Sequence, residues 1–253
     1  PYVFFGVSYC LLFLFVYGGE LLDKLKAVLL ISVSGLPYES ALWFLIVMFE
    51  TVIGYLFIDN IIKNTWLRRC AIGLIMIVGL VWKLLIPIGL PWGFHVTFVA
   101  LGFYELGRSV RELCLKRAHI ISAKKQFFLL VLVAWILIVS INGQMNMRTS
   151  TYNMIPFSIV GALLGTYLVY CVAFVLSKTV LSTILINISQ WGVLFLSTNH
   201  VVLGIVGQIT ELPIGIPFRG VLQYAFTGLV SIGIMYILTF LIYKTPMKIV
   251  FGK

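Results

Sequence analysis

Two ionisable side chains lie inside long apolar runs of this 253-residue sequence, where a charge is costly and usually has a task. Glu50 is near the middle of one run, and Lys83 lies in the next. If the two runs form antiparallel neighbouring helices, these residues differ in depth by only about 6 Å. Trp43 precedes Glu50 by two helical turns and shares its face. A structural ion pair between Glu50 and Lys83 and a substrate cavity lined by Trp43 and Glu50 both fit this spacing.

A second concentration of polar groups interrupts a later apolar run, at Ser197-Thr198-Asn199-His200. Four consecutive hydrogen-bonding side chains point in all directions around a helix, so at least one of them must face protein or water. We expect Asn199 and His200 to line a cavity. The alternative is a histidine that is merely hydrogen-bonded within the helix packing.

Asn142 and Gly143 open a loop that is rich in amide and hydroxyl side chains. The loop continues through Gln144, Asn146, Arg148, Ser150 and Asn153. Such groups suit a sugar-like ligand, and they equally suit an ordinary solvated loop. Asn142 is therefore a candidate lining residue of a polar cavity.

The composition indicates that the helices which carry these polar groups are surrounded by lipid. Hydrophobic residues make up 61% of the chain and charged residues 10%, whereas a soluble domain has roughly 25% charged residues. So few charges cannot cover a globule of this size in water, which indicates that lipid surrounds it. Continuous runs such as Phe127–Ile141 exclude the alternating strands of an outer-membrane barrel. The sequence therefore predicts an all-α, polytopic transmembrane helical bundle.

A membrane span needs about 20 mostly apolar residues. The chain divides into eight such spans. The predicted spans are Tyr2–Tyr17, Ala41–Ile58, Ala71–Ile88, Phe94–Val110, Phe127–Ile141, Ile155–Leu176, Trp191–Gly207 and Val221–Tyr243. Glu20–Val33 is too charged and too short to cross, and its leucines suggest an interfacial helix. Thr179–Ser189 is either similar or the beginning of the span that follows.

Basic residues are distributed unevenly between the two sides of this eight-span topology. With the C-terminal tail inside, 13 of the 18 fall inside, 4 fall outside, and Lys83 lies within a span. The inside residues are Lys63, Arg68, Arg69, Arg108, Arg111, Lys116, Arg117, Lys124, Lys125, Lys178, Lys244, Lys248 and Lys253. The positive-inside rule then places both ends of the chain in the cytoplasm. The net charge of +10 accordingly reflects membrane orientation and not nucleic-acid binding.

Cysteine spacing and glycine motifs point to no metal or nucleotide chemistry. The four cysteines have neither the spacing of zinc ligands nor the pattern of a disulfide framework. No P-loop, dinucleotide-binding glycine pattern or serine-hydrolase elbow occurs. We predict neither a metal site nor a bound cofactor. Glu105 and Arg108, three residues apart, are expected to pair.

Several short motifs, in order along nearly the whole chain, resemble those of the membrane-bound acyltransferase-3 superfamily, in particular its fucose 4-O-acetylase-like branch. They are Pro1-Tyr2, Leu42-Trp43-Phe44-Leu45, Leu90-Pro91-Trp92, Phe103-Tyr104-Glu105-Leu106-Gly107, Asn142-Gly143, Ala162-Leu163-Leu164-Gly165-Thr166 and Ser197-Thr198-Asn199-His200. The resemblance implies a ten-span enzyme of the cytoplasmic membrane. It transfers an acyl group, often from acetyl-CoA, to a hydroxyl of a surface glycan or glycolipid.

The family's catalytic histidine belongs to a first span that would precede Pro1, so the resemblance implies an N-terminally truncated, single acyltransferase-like domain over residues 1–253. It further implies that Trp43, Glu50, Asn142, Asn199 and His200 line the substrate cavity, where His200 would polarise or orient the acceptor. Three arginines would attract the phosphates of CoA, namely Arg68, Arg69 and Arg108. Two other readings stay open, a transporter or flippase for a glycan precursor and a non-catalytic membrane subunit.

Overall fold

The computed structural model describes residues 2–18, 20–31, 41–86, 88–116, 125–209 and 219–245. These residues form ten α-helices and one short hairpin. The helices are α1 (Tyr2–Tyr17), α2 (Leu21–Lys26), α3 (Trp43–Ile61), α4 (Thr65–Leu85), α5 (Phe94–Lys116), α6 (Lys125–Asn142), α7 (Ile155–Leu176), α8 (Ser182–Gln190), α9 (Gly192–Ile209) and α10 (Arg219–Tyr243). A π-helical turn, Ala27–Ile31, continues α2, and a 3₁₀ turn, Pro91–Gly93, precedes α5. The hairpin pairs β1 (Met145–Asn146) with β2 (Thr151–Tyr152) in antiparallel register.

The predicted all-α fold is confirmed, since each of the eight predicted spans is helical. The bounds of α1 and α7 coincide with the predicted Tyr2–Tyr17 and Ile155–Leu176. The predicted interfacial segment after the first span contains α2 and its π-helical turn, and α8 occupies most of the predicted Thr179–Ser189. Pro1 lies outside the described residues.

Fewer helices than eight are long and apolar enough to cross a bilayer by themselves. Among the described residues three qualify, at Trp43–Ile61, Ile155–Leu176 and Gln223–Ile242, and α8 with α9 makes a fourth, bent by 87°. Only 17–22% of the residues in the apolar windows of these three helices are buried, as expected of surfaces that face lipid. The remaining long helices either carry charges, as α4 and α5 do, or have shorter apolar stretches. The chain thus has the pattern of a multi-pass membrane protein.

The chain divides into two compact units, of which the first comprises Pro1–Ile46 and Thr183–Lys253. Its main core joins α1, the π-helical turn and α9 through Phe5, Tyr9, Val28 and Leu194. Gly6 permits the close approach of α1 to the turn, because a Cβ there would lie 2.5 Å from a Val28 methyl carbon. A smaller core joins α9 to α10 through Val202, Val206 and Met235.

The second unit, Val47–Ser182, is built on two antiparallel helix pairs. In the α4–α5 pair, a Cβ on Gly102 would overlap the Met76 sulfur, and one on Gly79 would lie 2.9 Å from a Val99 methyl. In the α6–α7 pair, Gly165 lies against the Trp135 indole. Such small residues let helix backbones approach closely, which is how membrane helices gain packing energy. Tyr152 of the hairpin packs against α4 and α5 and completes this unit's core.

Candidate functional site

Charged side chains from three helices converge at one end of the second unit. The helix α4 runs antiparallel to α5, so the beginning of α4 lies beside the end of α5. Contacts of Tyr55 with Tyr104 and Arg108 bring the C-terminal half of α3 to the same end. This arrangement gathers the three arginines predicted to meet phosphates, Arg68, Arg69 and Arg108. We call these residues, with Asp59, Glu105, Arg111 and Glu112, the arginine cluster.

Arg68 is the buried member of this cluster and is already paired. Its guanidinium donates to the Asp59 carboxylate, and only 7% of its side chain is exposed, against 38% for Asp59. The Tyr55 ring lies 5.9 Å from the guanidinium carbon. Arg68 Nε has no hydrogen-bond partner among the described residues. The structure therefore gives Arg68 a packing position, and this arginine does not line the cavity described below.

Arg69 and Arg108 are more exposed and share one carboxylate. An Nη of Arg69 lies 3.3 Å from Glu112 Oε2, and Nε of Arg108 lies 3.2 Å from Glu112 Oε1. Each arginine also has a second anchor. Arg69 Nε donates to Glu105 Oε1 at 3.1 Å, and Arg108 donates to the Tyr55 hydroxyl. Arg108 therefore pairs with Glu112, one turn later, and the predicted pair of Arg108 with Glu105 does not form.

An open cavity of about 630 Å³ borders the cluster and is lined along α5. Its lining residues are Phe103, Tyr104, Gly107, Arg108, Arg111 and Glu112. Among the described residues, no atom from outside the helix backbone lies within 4 Å of the Cβ position of Gly107, so this part of the groove lining is open. Guanidinium groups beside aromatic rings suit an anion attached to a flat ring, because arginines bind phosphate oxygens and aromatic faces stack.

Glu50 lies elsewhere in the second unit and has a neutral partner. Thr97 Oγ1 of α5 donates to Glu50 Oε2 at 2.5 Å. Glu50 is buried, and its other oxygen, Oε1, has no partner among the described residues. Lys83 donates to the carbonyl oxygen of Thr149 at 2.6 Å. The predicted ion pair between Glu50 and Lys83 is therefore wrong. The two side chains do not meet, because Lys83 points to the hairpin.

Asn142 has a structural task that occupies most of its hydrogen-bonding groups. Its Nδ2 donates to Ser158 Oγ at 3.1 Å, and its Oδ1 accepts from the Met154 N–H at 2.9 Å. Its carbonyl accepts from Asn153 Nδ2. Gly143 follows with φ of +68°, as a glycine that ends a helix commonly does. Asn142 thus joins the end of α6 to the start of α7, and no group of it faces the described cavity.

Trp43, Asn199 and His200 belong to the first unit. Trp43 is partly buried against the core of α1 and α9. His200 is exposed, and its backbone N–H donates to Asn199 Oδ1 at 2.7 Å. The side chain that faces protein is Ser197, which is buried, while the Tyr9 hydroxyl donates to its carbonyl. None of the three predicted residues lines the cavity on α5.

The sequence prediction missed Asp59 and Glu112 as members of the cluster and Tyr55 as the aromatic residue beside it. The spacing of Arg108 and Glu112 at i, i+4 was a readable signal for their pairing. Tyr55 and Asp59 gave no such signal, since their partners lie on other helices. Within the described ranges, no group of three histidine, cysteine or carboxylate side chains has a metal-binding arrangement.

Comparison of the chain with protein-family models, with curated proteins and with solved structures finds no match. The class that fold and site define is an all-α protein in which three or four helices of the described residues are long and apolar enough to cross a membrane, with an arginine-lined groove at one end of a helix group.

Proposed function

We propose that this chain belongs to a membrane O-acyltransferase that takes acetyl-CoA as co-substrate and a hydroxyl of a cell-surface glycan or glycolipid as acceptor. In the reaction, the acceptor oxygen forms a bond to the thioester carbonyl carbon, the carbon–sulfur bond breaks, and the CoA thiol leaves with the acceptor's proton. The proposal rests on the resemblance of the ordered motifs to the acyltransferase-3 superfamily. His200 would polarise or orient the acceptor hydroxyl.

The groove on α5 is the observation that best supports this function. Its volume of about 630 Å³ lies within the range of about 300–1,000 Å³ that is usual for small-molecule sites. Arg108 and Arg111 line the groove with Tyr104, so the phosphates of CoA would meet guanidinium groups while its adenine stacks on an aromatic ring. Arg111 replaces the buried Arg68 in the proposed phosphate contacts.

We further propose that the protein crosses the cytoplasmic membrane eight times with both described ends in the cytoplasm. Support comes from the second unit, where the arginine cluster lies at one end and Lys83 and Asn142 lie at the other. Cationic residues concentrate on the cytoplasmic side of membrane proteins. Reporter fusions placed after Ile61, after Lys83 and within the hairpin test this orientation. Cytoplasmic activity is expected only for the fusion after Ile61, and the opposite pattern would invert the topology.

A transfer assay tests the enzyme proposal. Membranes that contain the protein are incubated with radiolabelled acetyl-CoA and candidate glycans. Arg111→Gln is expected to raise the KM for acetyl-CoA about fivefold to tenfold, because one charge-assisted phosphate contact contributes on the order of 1–1.5 kcal/mol. Lys178→Gln, which removes a cation outside the groove, is the matched control. Absence of any transfer, with every glycan class tried, would refute the proposal.

A proton-coupled transporter or flippase is the second candidate, and two separate observations favour it. Glu50 places a carboxyl group in an apolar helix with one oxygen free of partners among the described residues, as coupling residues of transporters are placed. The 87° bend between α8 and α9 resembles the broken helices of transporters. In proteoliposomes with an imposed pH gradient, substrate-dependent proton flux that Glu50→Gln abolishes would favour transport. Transfer without flux would favour the enzyme.

A further inference from the structure

We propose that Glu112 is an internal carboxylate that occupies the phosphate site of the arginine cluster and must be displaced when a phosphorylated ligand binds. This inference rests on the proposed function in placing the phosphates at the α5 groove. It adds a competing group that belongs to the protein itself, and it predicts that removing this group increases ligand affinity.

The geometry of Glu112 is that of a bridging anion. One carboxylate oxygen lies 3.3 Å from an Nη of Arg69 and the other lies 3.2 Å from Nε of Arg108. Two oxygens of a phosphate group bind two guanidinium groups in the same way. Both distances exceed the roughly 2.7–2.9 Å of strong charge-assisted bonds. Ion pairs between exposed side chains contribute only about 0–1 kcal/mol, so a doubly charged ligand can compete for the same two guanidinium groups.

The exposure of the three side chains permits such an exchange. Arg69 is 44% exposed, and Arg108 and Glu112 are each 40% exposed. Glu112 also lines the groove, so a ligand there reaches its carboxylate directly. The Arg68–Asp59 pair in the same cluster differs, because its arginine is buried and does not line the groove. Glu112 is thus the acidic residue of the cluster that an incoming anion meets first.

The two arginines keep their positions when Glu112 leaves, because each has a second anchor. Arg69 stays bonded to Glu105, whose side chain is only 7% exposed. Arg108 stays bonded to the Tyr55 hydroxyl and lies with its guanidinium carbon 5.2 Å from the Tyr55 ring centroid. The displacement of Glu112 therefore leaves two fixed cations, of which Arg108 lines the groove together with Arg111.

The ligand class is a phosphomonoester or diphosphate, which either CoA or the headgroup of an acidic phospholipid supplies. Equilibrium binding to the purified protein in a neutral detergent, with inorganic pyrophosphate and with CoA as separate probes, measures the first source. The same measurement in phosphatidylcholine nanodiscs with and without phosphatidic acid measures the second. A lipid-occupied site shows weaker pyrophosphate binding when phosphatidic acid is present.

Glu112→Gln is the central variant, with Glu20→Gln, an exposed glutamate of the first unit, as its matched control. We expect Glu112→Gln to lower the pyrophosphate Kd about fivefold, as the loss of a competing exposed ion pair implies, and Glu20→Gln to leave it unchanged. Glu112→Asp retains the charge on a shorter stem and is expected to lower the Kd about twofold. It provides the test if the glutamine variant does not fold.

An unchanged or raised Kd in both Glu112 variants would overturn the inference, because Glu112 would then support the site and not compete for it. The outcome for the proposed function is separate. If Glu112→Gln tightens pyrophosphate binding while no acyl transfer is found with any acceptor, the competing carboxylate stands and the acyltransferase falls.

Discussion

The two members of the ion pair between Arg68 and Asp59 are buried to different extents. Removing one or the other should therefore lower the free energy of unfolding by different amounts. The arginine side chain is 7% exposed and the aspartate 38%. Replacing Asp59 with Asn leaves a buried guanidinium without its counter-charge. Replacing Arg68 with Met leaves a carboxylate that water can reach. We predict that Asp59→Asn destabilises the protein more than Arg68→Met.

The magnitudes follow from the burial of each partner. Removing one partner of a fully buried pair costs about 3–5 kcal/mol. The hydration of Asp59 and the Tyr55 ring near Arg68 lower this cost, so we expect about 2–3 kcal/mol for Asp59→Asn. An exposed pair contributes about 0–1 kcal/mol. Arg68→Met keeps most of the packed aliphatic stem, so we expect it to cost about 1 kcal/mol.

The assay is unfolding of the purified protein in mild detergent by added SDS, followed by far-UV circular dichroism. The double variant should be about as stable as Arg68→Met, because both charges are then gone. Asp23→Asn, which removes an exposed carboxylate paired with Lys26, is the control and should change little. The burial argument is refuted if Arg68→Met proves as destabilising as Asp59→Asn or more so.

Three further predictions concern the scaffold around the site. Gly102→Ala should destabilise the protein by about 1–2 kcal/mol, because overpacking against Met76 exceeds the gain in helix propensity. Gly73→Ala is the control and should stabilise the protein slightly, because the space around its Cβ position is open. Equal unfolding curves for the two variants would contradict this prediction. Asn142→Ala should cost about 2–3 kcal/mol and speed hydrogen exchange at the start of α7, which unchanged exchange would disprove. Burial raises the pKa of Tyr152 to about 12, whereas the unfolded chain loses this proton near pH of about 10. The contribution of Tyr152 to the free energy of unfolding is therefore complete below pH of about 10 and is lost as the pH rises towards about 12. Tyr152→Phe should remove that part of the alkaline loss, and identical wild-type and variant pH profiles would exclude it.

The helices could be predicted from the sequence because the sequence changes from apolar to polar residues, or contains a proline, near their ends. The apolar run of α7 begins beside Pro156 and ends before Ser177 and Lys178, and the helix has the predicted bounds. The number of membrane-crossing helices was harder to predict. Charged residues near the ends of α4 and α5 lengthen these helices beyond their apolar parts, so length and hydropathy together no longer define a span.

The site could be predicted only where the information was local. The three predicted arginines do lie at one end of a helix group, because alternation of the helices brings the same ends together. The direction in which a side chain points around its helix axis is not local, and Lys83 bonds to the hairpin for that reason. For Asn142, the following glycine was a sign of a helix end, and it favoured the structural task over ligand binding.

The close contacts of Gly79 and Gly102 have a mechanical consequence for the protein. The α4–α5 pair is interlocked at two levels, so neither helix can slide or rotate against the other without steric overlap. A displacement at the arginine cluster would therefore tilt the two helices together as one rigid body. The opposite end of the helix pair holds Lys83, which donates a hydrogen bond to the carbonyl oxygen of Thr149. Occupancy of the groove would then also displace the hairpin at the other end of the helix pair.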